Sequence, residues 1–362
     1  MKIAIIGTRG IPNHYGGFEQ FAEYLSLGLV KKGHEVWVYN SHLHPFQEST
    51  WKGVNIMHCK DLEDKIGTAG QFFYDLNCIL DTRKKDFDII LQLGYTSSSV
   101  WGSLLPKKTL TITNMDGLEW MRSKFSKKVQ YFLKKAEKWA INTSDHLVAD
   151  SVGIQQHLKK KFKVDSTYIP YGAHIFKTPN KEVLKEYALE ENQYAMLVAR
   201  MEPENNIETI LDGVDQSTNK NPFLVIGKTE NEFGKYLKHK FKDNLNIQFV
   251  GGIYDIKVLN NLRNFAGLYF HGHSVGGTNP SLLEAMSSNA LIVANDNIFN
   301  KSILENDAFY FSNANDVSTI LNELPESKRT KFVQNNLQKI ETLYTWDKII
   351  NDYEKLFIKL AK

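Results

Sequence analysis

The chain has 362 residues, with 44 Lys and Arg against 41 Asp and Glu, 42% hydrophobic and 12% aromatic residues, nine prolines and two cysteines. These figures exclude a disordered or fibrous chain and favour two globular domains, each large enough for its own core. The formal charge of +3 looks too small for a polyanion partner, yet it hides a basic first half: residues 1–172 carry 23 basic and 17 acidic side chains, and residues 173–362 carry 21 and 24.

In chain order, β-branched runs predict strands over 3–6, 35–39, 87–93, 109–113 and 146–149, with a helix over 18–32 and further helices between. Around Tyr168-Ile169-Pro170-Tyr171-Gly172-Ala173 a strand ends in a Pro and Gly turn, which marks a domain boundary. The alternation restarts with strands over 194–199, 223–226, 247–250, 268–271 and 291–294. Strict β-α alternation predicts an α/β protein of two Rossmann-like doubly wound domains facing a central cleft, over 1–172 and 173–345, with a C-terminal helix over 346–362 set to pack back on the first. Ligands of such sheets sit beyond the carboxyl ends of the strands, so the loops there carry most weight. Cys59 and Cys78 have no metal-ligand or disulfide spacing, which fits a reducing compartment. The apolar run at the start is too short for a signal peptide and none approaches a membrane span, so a cytoplasmic protein is expected.

Four loops can carry chemistry. Gly7-Thr8-Arg9-Gly10-Ile11-Pro12-Asn13-His14-Tyr15-Gly16-Gly17 joins the first strand to a helix N-terminus and is long for a βα turn, which suits an anion site as well as a plain turn. Its spacing is neither that of a dinucleotide fingerprint nor that of a Walker A loop. Asn114-Met115-Asp116-Gly117-Leu118-Glu119-Trp120 offers two carboxylates and an aromatic ring to a sugar or a proton; Asp116 suits a cap of the next helix equally well. After the strand over 194–199, Arg200 presents a fork of donors that suits a phosphate, and Asn205 or Asn206 can cap the following helix. In His271-Gly272-His273-Ser274-Val275-Gly276-Gly277-Thr278-Asn279-Pro280-Ser281-Leu282-Leu283-Glu284, Asn279 and Pro280 announce a helix start behind open glycines, with Glu284 one turn inside. The two histidines lack further ligands at metal spacing. Two anion sites and an Arg suit a ligand with a central diphosphate, such as a nucleotide sugar.

Taken together and in this order, these segments resemble a glycosyltransferase of the GT-B fold, family 4, and within it the rhamnosyltransferase-like branch of bacterial polysaccharide biosynthesis. The resemblance implies retaining transfer of a sugar, foremost L-rhamnose from dTDP-β-L-rhamnose, to a saccharide on a polyprenyl diphosphate in cell-surface or capsular polysaccharide synthesis. It implies donor contacts from Gly16, Gly17, Arg200, Asn205, Lys228, Gly252, Ile253, Gly276, Gly277, Thr278, Asn279 and Glu284, with Glu284 on the ribose and residues 250–254 reading the base. Asp116, Glu119 and Arg200 would be catalytic, and Tyr15, Asp116, Trp120 and Arg122 would meet the acceptor. Asn205 stands where relatives carry a Lys, and Gly276 where they carry the first Glu of an E-x7-E pair. Either backbone groups of 276–279 replace that Glu, or the donor is a 6-deoxy sugar with other contacts. Lys228 and Arg9 are candidates for the missing cation. The alternatives are another nucleotide-sugar donor on the same fold, or a non-catalytic sugar-binding protein.

No metal or other cofactor is expected, since Arg200 and helix ends supply the positive charge and no Asp-x-Asp metal motif is present. The expected partners are the nucleotide-sugar donor, a lipid-linked saccharide acceptor and an anionic membrane surface, with no nucleic acid. Residues 122–138, with seven Lys and Arg, one acid and three aromatics including Phe125, Tyr131 and Phe132, read as a basic amphipathic helix. An ordinary solvated helix face with the aromatics in the core is the alternative; on the membrane reading the protein is expected peripherally at the inner face of the plasma membrane.

Overall fold

The computed structural model describes residues 1–115, 117–323 and 326–361. The chain divides into two compact units, one of residues 1–120, 125–172 and 346–362, the other of residues 121–124 and 173–345.

Among the described residues the first unit is built on an eight-stranded sheet: β1 (Lys2–Ile6), β2 (Glu35–Ser41), β3 (Thr50–Trp51), β4 (Val54–Cys59), β5 (Ile89–Leu93), β6 (Leu110–Asn114), β7 (His146–Ala149) and β8 (Thr167–Tyr168). The spatial order is β3-β4-β2-β1-β5-β6-β7-β8, and only the short β3–β4 pair is antiparallel. β1 is apolar without alternation, and all five residues of β5 are buried, as expected where helices cover both faces. Strand order reverses between β1 and β5, which pair directly, so the loops leaving them flank the switch point of this sheet. The helix Gly17–Lys31 follows β1 and buries Phe21, Ala22, Leu25 and Leu29.

The last helix, Trp346–Leu360, returns to this unit. Its apolar residues recur at helical spacing, and Trp346, Ile349, Ile350, Tyr353, Leu356 and Phe357 are all buried. Tyr24 stacks on Trp346 at 4.4 Å, Phe21 meets Tyr353 edge-on at 5.3 Å, and Glu354 pairs with Lys32 at 2.8 Å. Gly28 is needed at this crossing, because a Cβ there would lie 2.4 Å from Ile350.

The second unit carries a six-stranded parallel sheet: β9 (Ala195–Val198), β10 (Phe223–Ile226), β11 (Ile247–Gly251), β12 (Leu268–His271), β13 (Ile292–Asn295) and β14 (Phe309–Phe311), in the order β11-β10-β9-β12-β13-β14. Its switch point lies between β9 and β12. One core face packs Leu197, Val225, Phe270 and Val293 against Ile207, Ile210, Leu211 and Val214 of the helix Ile207–Gln216.

Three expectations change. Strands β3, β4 and β14 are additional; each is short or mixes polar residues into its run. The basic stretch 122–138 is not one helix: Ser126 caps a helix that starts at Lys127 (Lys127–Thr143), and residues 121–124 belong to the second unit. Neither Asn205 nor Asn206 caps the helix at Ile207 through its side chain; Asn206 sits in left-handed backbone at φ 50° and its amide donates to Gly272 O at 2.8 Å.

Candidate functional site

In the first unit the loop between β1 and Gly17 is tied down by its own side chains. Gly7, at φ 87°, faces β5 so closely that a Cβ would lie 2.3 Å from Leu93 O. Asn40 brackets Ile11, accepting from its N–H at 3.0 Å and donating to its carbonyl at 2.8 Å. The Arg9 guanidinium forms a fork on Glu63, at 2.8 and 2.7 Å, and lies 3.8 Å from the centre of the Tyr15 ring, which is 65% exposed. Glu63 is held below the usual carboxylate range by that bond from Arg9. Arg9 is thus committed to Glu63 and is not a free cation.

The chain's own acids also meet the N–H groups of this loop. Glu19, buried in the first turn of the helix Gly17–Lys31, accepts from Arg9 N at 2.9 Å, and Glu23 accepts from Asn13 N at 2.7 Å. Gly16, in extended backbone, is the N-cap of that helix. Beneath the loop, Asp75 is buried and accepts from Ser97 Oγ at 2.5 Å; burial pushes its carboxyl up to about 7.

Asp116 lies outside the described residues. Gly117, at φ 76°, places the following turn Glu119–Met121, with Glu119 half-buried. Trp120 packs within the first unit, 5.7 Å from His157, with Lys134 and Lys161 ammonium groups 4.7 and 4.9 Å from its ring. Both Lys161 and His157 pair with Glu137, a carboxylate only 1% exposed. Arg122, expected beside the acceptor loop, instead packs inside the second unit against Glu204 at 3.5 Å, where Ser123 Oγ also donates to Glu204 at 3.2 Å.

The second unit gathers its candidates at the switch point. Arg200 follows β9, is exposed, and has no hydrogen-bond or ion-pair partner among the described residues. Asn205 donates to Arg200 O at 2.8 Å, so it shapes the backbone that carries the guanidinium. The loop after β12 is tied to the same turn, since Ser274 Oγ donates to Glu204 O at 2.8 Å. A Cβ on Gly272 would lie 2.0 Å from Asn205 O, so the two loops meet at backbone contact. His273 stacks on His271 at 4.4 Å, and burial first, then the charges of Arg200 and Arg122, push its imidazole down to about 3. The ring is neutral at working pH beside two guanidinium groups.

Farther along, Gly276 takes φ 133° with open space where a Cβ would stand, Gly277 follows half-buried, and Thr278 is buried. Asn279 Oδ1 accepts from Ser281 N at 2.9 Å and Pro280 opens the helix Pro280–Ser287, the Asn-Pro start legible in the sequence. Glu284 lies one turn in, paired with Arg263 at 2.8 Å. Lys228, after β10, lies 5.5 Å from the ring of exposed Tyr254, which follows Gly252 and Ile253 beyond β11. An unpaired guanidinium, a neutral imidazole, a helix start and an open glycine loop can together receive a diphosphate. Among the described residues no group of three or more His, Cys, Asp or Glu is placed to hold a metal ion.

Sequence reasoning missed Glu204, Arg263 and the link of His273 to Arg200. The only signal for them was an acid and a base in otherwise ordinary helical surroundings; their partners are 18 to 82 residues away.

Comparison with known proteins finds two family models, one on each half of the chain. Residues 1–174 match the family described as Domain of unknown function (DUF1972), and residues 180–338 match Glycosyl transferases group 1. No curated protein matches the sequence. The fold is similar to that of sucrose-phosphate synthase from Thermosynechococcus elongatus, with a TM-score of 0.83 at 16% identity over 99% of this chain and 98% of that one. HepE of Anabaena, solved with UDP-glucose, gives a TM-score of 0.76 at 13% identity over 99% and 100%. A glycosyltransferase from Rickettsia africae gives 0.73 at 13% over 100% and 98%. With a group 1 glycosyltransferase domain on residues 180–338 and a GT-B fold throughout, the chain is a glycosyltransferase.

Proposed function

We propose that the chain transfers a sugar, with retention, from a nucleotide-sugar donor bound by the second unit to a lipid-linked saccharide. The observation that carries this reading is Arg200: a guanidinium at the switch point with no partner among the described residues, beside neutral His273 and the loop that leads into the helix Pro280–Ser287. A diphosphate bound there brings its negative charge to donors already in position, and the charge that develops as the nucleoside diphosphate departs is stabilised without a metal ion. The open backbone of Gly276 to Asn279 faces the transferred sugar in this reading, Glu284 takes the ribose, and the base lies by Gly252, Ile253, Lys228 and Tyr254. Asp116, Glu119, Tyr15 and Trp120 serve the acceptor.

The donor we favour is dTDP-β-L-rhamnose, supported by the ordered resemblance of Thr8 to Glu19, Asp116 to Trp120 and Gly276 to Ala285 to rhamnosyltransferase-like enzymes and by the absence of an acid at Gly276. UDP-glucose, the ligand of HepE, is the competing donor. Release of dTDP or UDP on mixing each donor with a polyprenyl-diphosphate saccharide separates them: faster release from UDP-glucose overturns the rhamnosyl assignment, and release from neither overturns the nucleotide-sugar reading.

The acceptor's lipid is in keeping with the helix Lys127–Thr143. Its exposed side chains include Lys127, Lys128, Lys134, Lys135 and Lys138, with Tyr131 64% and Trp139 40% exposed. Such a face suits the headgroups of an anionic inner leaflet, at roughly 1 kcal/mol per basic residue near the surface. Among the described residues no helix is long and apolar enough to cross a membrane. Flotation with vesicles of phosphatidylglycerol and phosphatidylcholine tests this: binding at low salt that is lost at high salt is expected, and no binding at low salt rejects the peripheral membrane site.

A further inference from the structure

Arg263 is the largest fully buried side chain among the described residues, with 1% of its surface exposed, and it lies on the helix Ile256–Phe265, outside the sequence motifs but in contact with one of them. Its guanidinium meets Glu284 Oε2 at 2.8 Å, Ser281 Oγ at 3.2 Å and Asn260 Oδ1 at 3.0 Å. Ser281 Oγ in turn is hydrogen-bonded to the Tyr269 hydroxyl at 2.8 Å. One side chain therefore grips the helix Pro280–Ser287 at two points one turn apart, beside its Asn279 cap and at its carboxylate.

This pair is poorly explained as a stabilising element. Arg263 Nε is buried and has no partner among the described residues, and a buried ion pair often adds less than apolar residues of the same volume would. The two ends of the pair also differ in exposure. Arg263 is sealed, whereas the Glu284 side chain is 23% exposed; its Oε2 is committed to Arg263, and its Oε1 has no partner among the described residues. A long carboxylate on a helix surface ordinarily samples several rotamers, and ordering it on binding costs affinity. Here that ordering is done in advance.

We propose that Arg263 is a positioning residue: it never touches the donor, but holds Glu284 so that Oε1 receives the 3′-hydroxyl of the nucleotide's pentose. The inference rests on the donor reading given above and deepens it, by assigning pentose recognition to a buried Arg–Glu unit rather than to Glu284 alone. Ser281 extends the same control to the cap of the helix, so the pentose and diphosphate contacts share one anchor.

The experiment is calorimetric titration of the full chain with dTDP and UDP and with their 3′-deoxy analogues, for the wild type, Arg263→Met, Arg263→Lys, Glu284→Gln and the Arg263→Met/Glu284→Gln double variant. In the wild type, loss of the 3′-hydroxyl weakens binding roughly ten- to a hundredfold, the worth of a hydrogen bond to a charged group. Arg263→Met removes that discrimination while the 3′-deoxy nucleotide binds as it does to the wild type, and the double variant discriminates no less than either single one. Arg263→Lys keeps part of the preference, because an ammonium can pair with Glu284 Oε2 but cannot hold Ser281 and Asn260 as well. Equal weakening of both ligands by Arg263→Met, or an unchanged preference, overturns the proposal in favour of a purely structural Arg263. Should Arg263→Met fail to fold, Arg263→Lys decides: an undiminished 3′-hydroxyl preference in a folded Lys variant overturns the proposal. A wild type that binds neither dTDP nor UDP removes the donor reading itself, whereas a wild type that binds them without regard to the 3′-hydroxyl removes this inference alone.

Discussion

Two loops occupy equivalent places in their own sheets, each leaving the strand beside a switch point and each carrying an arginine. After β1, Arg9 is clamped on Glu63, roofed by Tyr15, and its N–H is taken by Glu19. After β9, Arg200 has no such partner among the described residues, and the imidazole beside it, His273, is neutral. The first loop has answered its positive charge with the chain's own carboxylates; the second has not. A charged group that lacks a partner in the folded chain is available to a ligand at no cost of breaking an existing pair, so the two arginines are unequal although their local settings match.

The largest effect expected from this contrast is at Arg200. Arg200→Ala lowers turnover in the donor-dependent release assay by about 10²- to 10³-fold, or about 3 to 4 kcal/mol, with the thermal unfolding midpoint unchanged. Unaltered turnover would show that the unpaired guanidinium is not where charge develops.

The two regions also differ in the sign of their pH response. Asp75, in the first unit, has its folded value raised to about 7, so between the ordinary carboxylate range and pH 7 only the unfolded chain loses its proton, and stability falls as pH rises across that window. His273, in the second unit, is lowered to about 3, so below its ordinary value of 6.5 only the unfolded chain gains a proton, and stability falls as pH drops. Each contributes a slope of up to about 1.4 kcal/mol per pH unit within its window. Denaturant unfolding from pH 4 to 8 checks this, with Asp75→Asn flattening the loss toward neutral pH and His273→Gln the loss toward acid. Parallel curves for wild type and variant in either case would break the assignment.

Arg9→Met should reverse the pattern seen at Arg200. It leaves Glu63 without its partner, and we expect a loss of about 1 to 3 kcal/mol in unfolding free energy while affinity for dTDP or UDP stays the same. A large loss of nucleotide affinity with intact stability would make the two arginines functional equals. The smallest effect is expected at Lys228, whose ammonium lies over Tyr254 and has no ion pair among the described residues. Lys228→Ala should weaken nucleotide binding by about two- to fivefold, the scale of one exposed cation–π contact, and calorimetry of the folded variant measures it.

Features set by neighbouring residues were legible. Asn279-Pro280 predicts a helix start because cap and first turn are local, and the spacing of Trp346, Ile349, Ile350, Tyr353, Leu356 and Phe357 predicts a buried helical stripe. The basic run 122–138 misled for the same reason: its composition suits a helix throughout, but Ser126 starts the helix late, and Arg122 and Lys124 are drawn to Glu204 and Glu202. Asn205 read as a cap, yet its amide found the carbonyl of Arg200, an alternative open to any Asn in a turn.

The sequence by itself determined two parallel α/β units and where most of their strands and the helix at Asn279-Pro280 begin, because strand alternation and turn chemistry act over a few residues. Only the tertiary structure decided which arginine remains unpaired and which carboxylate is anchored. Arg9 meets Glu63 across 54 residues, and Arg263 reaches across the chain to Glu284 and Ser281. Pairing of charges depends on distance in space and on burial, and neither is written in the order of the residues.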